Sequence, residues 1–433
     1  MRWQPGILLV ALVPMLGRAA EPAATFRAGV AACDVTPDAP TPMWGYGARH
    51  DMLSKGVRDR LLAKVVVIEA GGTKLAVVGM DLGRGPTAAM MATIREALAP
   101  RKFAGLLISG SHTHHGPVIE LTDEPGRGKG KFDAAVAYSR DLPVRLARAI
   151  AEADDQLVPV TIRAASKDVA LNRNRHSKRE PKSVDPRLTL IRLDRADGSP
   201  LTVLVHFAAH PVMRPGELLE FSADYPGAMR AVVEPALKAP AVFLQGAGGD
   251  MSPNSPPEVH GADAFGEVLA RAAIETAEAA KAAPAVKPSL AVATESHHFG
   301  MRLDIANPLN RVLYGRAFFP ELIESTVPDY VGGTNPETTT ALLGDQIGIV
   351  GLPGEPFHGH ATRLRERADL PHALVFGYCN GHYLYFPTIE AASEGGYGAD
   401  PRMSPIALGA GEAMLDRALI ALYRMRGKFP GEP

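Results

Sequence analysis

Apolar residues in this chain recur with two different periods. The runs Leu61-Leu-Ala-Lys-Val-Val-Val-Ile68 and Leu75-Ala-Val-Val-Gly-Met80 are short and rich in β-branched residues, and they flank Gly71-Gly72, a pattern that predicts a hairpin. Over 87–98 the spacing changes: Met90, Ile94 and Leu98 repeat at the helical period, and the next apolar run, 104–108, is strand-like again. Strand, helix, strand predicts a βαβ unit. Further helices are predicted over 263–280, with Phe265, Val268, Leu269 and Ala272 on one side, and over 411–425, with Leu415, Ala418, Leu419 and Leu422 on one side. Strand-like runs at 203–209, 241–244, 347–350 and 373–376 complete the pattern, which has no internal repeat. The fold class expected is α/β, a mixed sheet with helices packed around it.

Composition acts mainly by exclusion. The 433 residues are 46% hydrophobic and 21% charged with a formal net charge of -1, a globular balance that gives no reason to expect nucleic acid or an anionic membrane as partner. At the N-terminus Arg2 precedes an apolar run over 7–16 and the small-residue segment Gly17-Arg18-Ala19, the layout of a secretory signal peptide over 1–20. That run is too short to span a bilayer and no later stretch is long and apolar enough, so export to the periplasm or medium is expected, with no transmembrane segment in the mature chain. Cys33 and Cys379 can pair or remain buried thiols, and the sequence is compatible with both. Ala282-Ala-Pro-Ala-Val-Lys-Pro288 reads as a surface crossover, and the basic stretch 173–182 as a solvated loop.

The chemistry-bearing residues share one context. Ser109-Gly-Ser-His-Thr-His-His-Gly-Pro117, His210-Pro211, Gln245-Gly-Ala-Gly-Gly-Asp-Met-Ser-Pro-Asn254, Gly351-Leu-Pro-Gly-Glu-Pro356 and Tyr378-Cys-Asn-Gly-His-Tyr-Leu-Tyr-Phe-Pro387 each begin where a strand-like run ends. In α/β sheets ligands bind beyond the carboxyl ends of strands, where such loops converge. His112 and His114, two apart in an extended segment, present both rings to one side and suit a divalent metal, zinc by default. Each position also has a structural alternative. His210 can be a core histidine, Glu355 a first-turn helix carboxylate, Ser252-Pro253 a helix cap, and Tyr385 a core aromatic. His358 and His360 would face different ways on a helix and read as supporting residues.

Taken in order, Gly29-Val-Ala-Ala-Cys-Asp-Val-Thr-Pro37 with Trp44-Gly-Tyr46, Ser-His-Thr-His-His-Gly-Pro, Phe207-Ala-Ala-His-Pro211, Gly249-Asp-Met-Ser-Pro-Asn254 and Leu352-Pro-Gly-Glu-Pro356 resemble the neutral ceramidases, zinc amidases that cleave the N-acyl bond of ceramide. The likeness runs from about Arg27 onward and implies one catalytic domain over 27–427. It implies a mononuclear zinc site held by His112, His210, Glu355 and Tyr385, an essential Ser252, His114 beside the metal, and Arg173 of Asn172-Arg-Asn174 on the substrate carbonyl. His115 stands where the family usually has serine, and His382 where a tyrosine is often found. The sequence ends too early for the family's C-terminal immunoglobulin-like domain, so none is expected here.

In the mechanism this implies, zinc-bound water is the hydrolytic group, His114 carries the proton, and Ser252 either attacks the carbonyl or donates to its developing oxyanion. The substrate expected is a lipid or small N-acyl compound. Departures at His115 and His382 bear on substrate choice. They keep two rivals open: a hydrolase of the same scaffold acting on an ester, glycan or phosphate, and a non-catalytic exported binding protein with a vestigial site.

Overall fold

The computed structural model describes residues 25–430, so the expected signal segment lies outside the described residues. A large mixed sheet is built from β1 (Phe26–Asp34), β2 (Leu62–Ala70), β3 (Thr73–Met80), β4 (Gly105–Gly110), β5 (Val158–Asp168), β6 (Arg187–Arg195), β7 (Pro200–Phe207) and β8 (Ala241–Gln245). Its spatial order is β8-β7-β6-β5-β1-β2-β3-β4. The interior pairs are antiparallel, while β3 with β4 and β7 with β8 are parallel. The β2–β3 hairpin turns on Gly71 and Gly72, at φ +58 and +82, the left-handed pair that a two-residue turn between twisted strands needs. The predicted βαβ unit is β3, the helix Ala88–Leu98 and β4, with Thr87 capping the helix by accepting the Met90 N–H.

Period-two alternation sorts the side chains of β2 between two layers. Ala63, Val65 and Val67 meet the helices Ala88–Leu98 and Asp133–Asp155, while Val66 and Ile68 face a second sheet. That sheet has four strands, β9 (Leu290–Ser296), β10 (Glu337–Leu343), β11 (Ile347–Gly351) and β12 (His372–Phe376), in that order, with β11 and β12 parallel. Its outer face carries the helices His358–Arg367 and Ala410–Met425, and Asp224–Leu237 and Gly261–Ala282 cover the far end of the large sheet. The expected mixed sheet with helices around it is therefore present. The second sheet adds a layer, because β10 and β11 have an apolar face that only another sheet covers. The crossover over 282–288 is also less superficial than expected: Val286 is buried between the sheets and donates its N–H to Ile162 O.

One packing detail decides where function can sit. The large sheet coils until β8 meets β3, where a Cβ on Gly79 would lie 2.3 Å from Phe243 O. Opposite edges of one sheet, each ending in a parallel pair, thus come together with the β11–β12 pair of the second sheet beside them.

Candidate metal centre

Loops from all three parallel pairs meet at this seam. After β4 the chain passes Ser111 to His112, whose N–H donates to Leu82 O and whose φ is +70. After β7 it passes Ala208-Ala209 to His210, whose N–H donates to Met251 O. After β11, Glu355 lies in a two-residue strand in register with Tyr385, which follows β12. Asn380 docks that last loop on β4, accepting from Ile108 N–H at 2.9 Å and donating to Leu106 O at 2.6 Å. Among the described residues nine non-glycine positions have positive φ, and four of them, His112, Tyr378, Asn380 and Leu384, are in these loops. Left-handed backbone costs on the order of 1–3 kcal/mol per residue, so its concentration here marks a place where geometry is held for a purpose.

The ring nitrogens are oriented by main chain. His112 Nδ1 lies 2.7 Å from Gly83 O, and His210 Nδ1 lies 2.7 Å from Gly248 O. A carbonyl can only accept, so each Nδ1 carries the proton and each Nε2 presents a lone pair. Both Nε2 atoms face Glu355 Oε2, at 3.3 Å from His112 and 3.1 Å from His210. His382 Nε2 approaches the other oxygen, Oε1, at 3.4 Å. Glu355 is itself buried, with the imidazoles of His112, His210 and His382 around its two oxygens. Burial, then the Arg175 guanidinium, pushes His210 down to about 3, so its ring stays neutral. A buried carboxylate surrounded by imidazole lone pairs is a donor set that fits a divalent cation, and the carbonyl-bound Nδ1 atoms are the usual second layer of such a site. His112, His114 and His210, and also His112, Glu355 and His382, bring their donor atoms within 4.8 Å of one another.

Tyr385, the fourth expected ligand, is buried beside Glu355, and burial together with that carboxylate raises its hydroxyl well above the ordinary range. Its oxygen accepts from Arg175 at 3.0 Å, and the same Nη2 donates to His210 Nε2 at 2.8 Å and to Gly249 O at 2.9 Å. His114 is half-buried, with its Nε2 3.3 Å from His112 Nε2 and its ring edge-on to Trp44 and Tyr46. Burial, then the neighbouring His112 and His210, keeps its pKa well below normal. Ser252 is buried in the short strand Met251–Pro253, next to the residue whose carbonyl supports His210. It caps no helix, since the next one begins at Gly261.

Arg173 is exposed, opposite Ser252 in the ladder formed with Asn172–Asn174. The arginine that reaches the centre is Arg175. Asn-Arg occurs twice here, two residues apart, and the three-residue strand turns Arg173 outward while Arg175, just past its end, turns in. Sequence alone offered no way to choose between the copies. His358 and His360 lie outside the groups of donor atoms, each held by a neighbour. His358 Nδ1 contacts Asp250 Oδ2 at 2.6 Å, and His360 contacts Phe386 O. Tyr378 was not anticipated. Its ring stacks on His112 with centroids 4.0 Å apart, while Trp44 meets the same imidazole edge-on at 5.1 Å. Cys33 and Cys379 are both free thiols.

Over the centre opens a pocket that reaches solvent. Its floor is polar, with His114, Glu355, His382 and Tyr385, and its walls are largely apolar, with Trp44, Ile305, Phe318, Phe319, Leu322 and Ile323. The buried pair Arg84–Glu120, at 3.0 Å, steadies one wall, because Glu120 also accepts from the Trp44 indole N–H. Among the described residues no helix is long and apolar enough to cross a membrane.

The model of the neutral/alkaline non-lysosomal ceramidase family, N-terminal part, matches residues 26–267, more than half of the chain. The fold is similar to the crystal structure of neutral ceramidase from Pseudomonas aeruginosa, with a TM-score of 0.76 and 18% identity over 95% of this chain and 76% of that one. It is similar also to a structure described as a ceramidase complexed with C2, with a TM-score of 0.74 and 18% identity over 94% and 76% of the two chains. No curated protein matches.

Proposed function

Since the chain belongs to the neutral/alkaline ceramidase family, a family of hydrolases, we propose that it is an exported zinc-dependent amidase cleaving the N-acyl bond of ceramide or a related N-acyl lipid. The observation that carries this reading is the buried Glu355 facing the Nε2 atoms of His112 and His210 at the floor of an apolar-walled pocket. His112, His210, Glu355 and Tyr385 would hold the metal. When bound, a zinc ion lowers the pKa of a coordinated water to about 7 and polarises a carbonyl oxygen.

The chain's own residues supply the remainder. His114, neutral and lining the pocket, accepts a proton during attack and returns it to the departing amine. Ser252 supplies a hydroxyl to the carbonyl, as nucleophile or as oxyanion donor, and since among the described residues no base is hydrogen-bonded to it, the donor role is favoured. Of the two neighbouring arginines, Arg175 rather than Arg173 has the burial and contacts suited to the substrate carbonyl. The apolar walls take an acyl chain and exclude water from the scissile bond, which favours a lipid amide over a glycan or a phosphate.

The test is metal analysis of the purified mature protein with a panel of ceramide, short N-acyl amides, esters and phosphoesters. About one zinc per chain, with amide hydrolysis abolished by a chelator and restored by zinc, is the expected result. Metal-free protein with undiminished turnover, or turnover confined to phosphoesters, would overturn it.

A further inference from the structure

We propose that His382 is itself a ligand in this metal centre, so that this chain carries a third histidine where its relatives often have tyrosine. This rests on the metal-dependent reading above. The two sides of Glu355 differ in what balances them. On the His210 side Arg175 lies against the donor atoms, its Nη2 2.8 Å from His210 Nε2 and 3.0 Å from the Tyr385 hydroxyl, contacts that a bound metal would replace. On the other side, among the described residues, no cationic donor meets the donor atoms. His112 Nε2 faces only the carboxylate and His114 Nε2, and His382 Nε2 is buried without a hydrogen-bond partner.

An unpartnered buried nitrogen is destabilising unless something completes it. His382 Nε2 is aimed at Glu355 Oε1, 3.4 Å away, and with His112 and Glu355 it forms a triad whose donor atoms lie within 4.8 Å of one another. The ring is held there edge-on to Trp44, with centroids 5.4 Å apart, and the loop that delivers it is pinned to β4 through Asn380. Two imidazoles and a carboxylate are ordinary zinc donors, and Glu355, with one oxygen toward each side, can serve the whole set.

The experiment uses the full mature chain loaded with cobalt(II) as a spectroscopic stand-in for zinc. In the wild type the hyperfine-shifted imidazole ring resonances should report one more histidine than in His382→Phe, and zinc affinity by chelator competition should be at least about 100-fold weaker in the variant. That exceeds the 10–100-fold typical of a residue acting only behind a ligand. Zinc-edge X-ray absorption of the unmodified protein gives a count that does not depend on the folding of His382→Phe, with three imidazoles expected. An equal number of shifted histidine sets in both proteins, or two imidazoles in the wild type, would overturn the assignment while leaving metal-dependent hydrolysis intact. A wild type that binds neither cobalt nor zinc would overturn both.

Discussion

The floor and the walls of the pocket are built by different means. The floor and the donors beside it hang from the ends of strands or a short ladder fixed by backbone hydrogen bonds: His112 after β4, His210 after β7, Glu355 after β11, and Tyr385 beside it. Much of the wall comes instead from 305–330, where the short helices Pro308–Ala317 and Pro320–Thr326 pack a small satellite core of Ile305, Tyr314, Ile323, Val327 and Tyr330. Main-chain geometry fixes the chemistry, and side-chain packing of a smaller unit fixes what is admitted. A family can keep the first while changing the second. Substitutions in the two regions should therefore fail differently.

Floor substitutions should remove catalysis itself. His112→Ala and His210→Ala should each release the metal and lower hydrolysis by at least about 1000-fold on every substrate, because the hydroxide supply is lost. Elemental analysis beside steady-state kinetics checks both halves. Ser252→Ala should keep its metal and lower kcat by about 100- to 1000-fold with KM little changed, the usual loss for one oxyanion donor. A loss in KM alone would move Ser252 from the chemistry to binding.

Wall substitutions should instead separate substrates. Ile323 is buried in the pocket wall, and Ile323→Asp puts a carboxylate where an acyl chain would lie. Losing contact with two or three methylenes, at about 0.8 kcal/mol each, lowers kcat/KM for a long-chain amide by about 10- to 100-fold. A two-carbon acyl substrate should change by less than about threefold. Equal losses on both would show that floor and wall are not independent.

The same division explains what the sequence disclosed. The hairpin, the βαβ unit and the five strand ends were legible because period-two and helical spacing follow directly from backbone geometry, and the strands observed at Pro200–Phe207 and Ile347–Gly351 lie close to those expected. Motif order pointed to His112, His210, Glu355 and Tyr385 before their distances were known. The expectation for Arg173 meets an exposed side chain, with Arg175 at the centre instead, because a three-residue strand decides which of two Asn-Arg copies turns inward and no pattern that short carries a direction. The second sheet was hidden because its strands, like those of the first, read only as apolar runs. Tyr378 was hidden because stacking on His112 is a tertiary relation. The wall segment had no periodic signature, since its helices are one to three turns long and bury few residues.

The smallest expected effect on catalysis concerns a residue that sequence linked to substrate choice. His115 does not line the pocket. Its ring points away from the metal donors, where its Nε2 meets Arg49 Nη2 at 2.7 Å and lies 3.1 Å from Pro215 O, and Arg49 in turn ties the His114 carbonyl to the 216–218 loop. His115→Ser should therefore leave kcat/KM within about threefold for long and short acyl chains alike. Its effect should appear in stability instead. Burial, then the Arg49 charge, lowers His115 to about 4, so between pH 4 and 6.5 the native chain binds fewer protons there than the unfolded one. Stability from this group is complete above pH 6.5 and is lost as pH falls toward 4, by about 3 kcal/mol across the window. Urea unfolding at pH 4.5 and pH 7 should show that difference shrinking in His115→Ser by up to that amount. A variant that instead shifts the acyl-chain preference while keeping the wild-type pH dependence would return position 115 to the substrate, and with it dissolve the boundary drawn here between floor and wall.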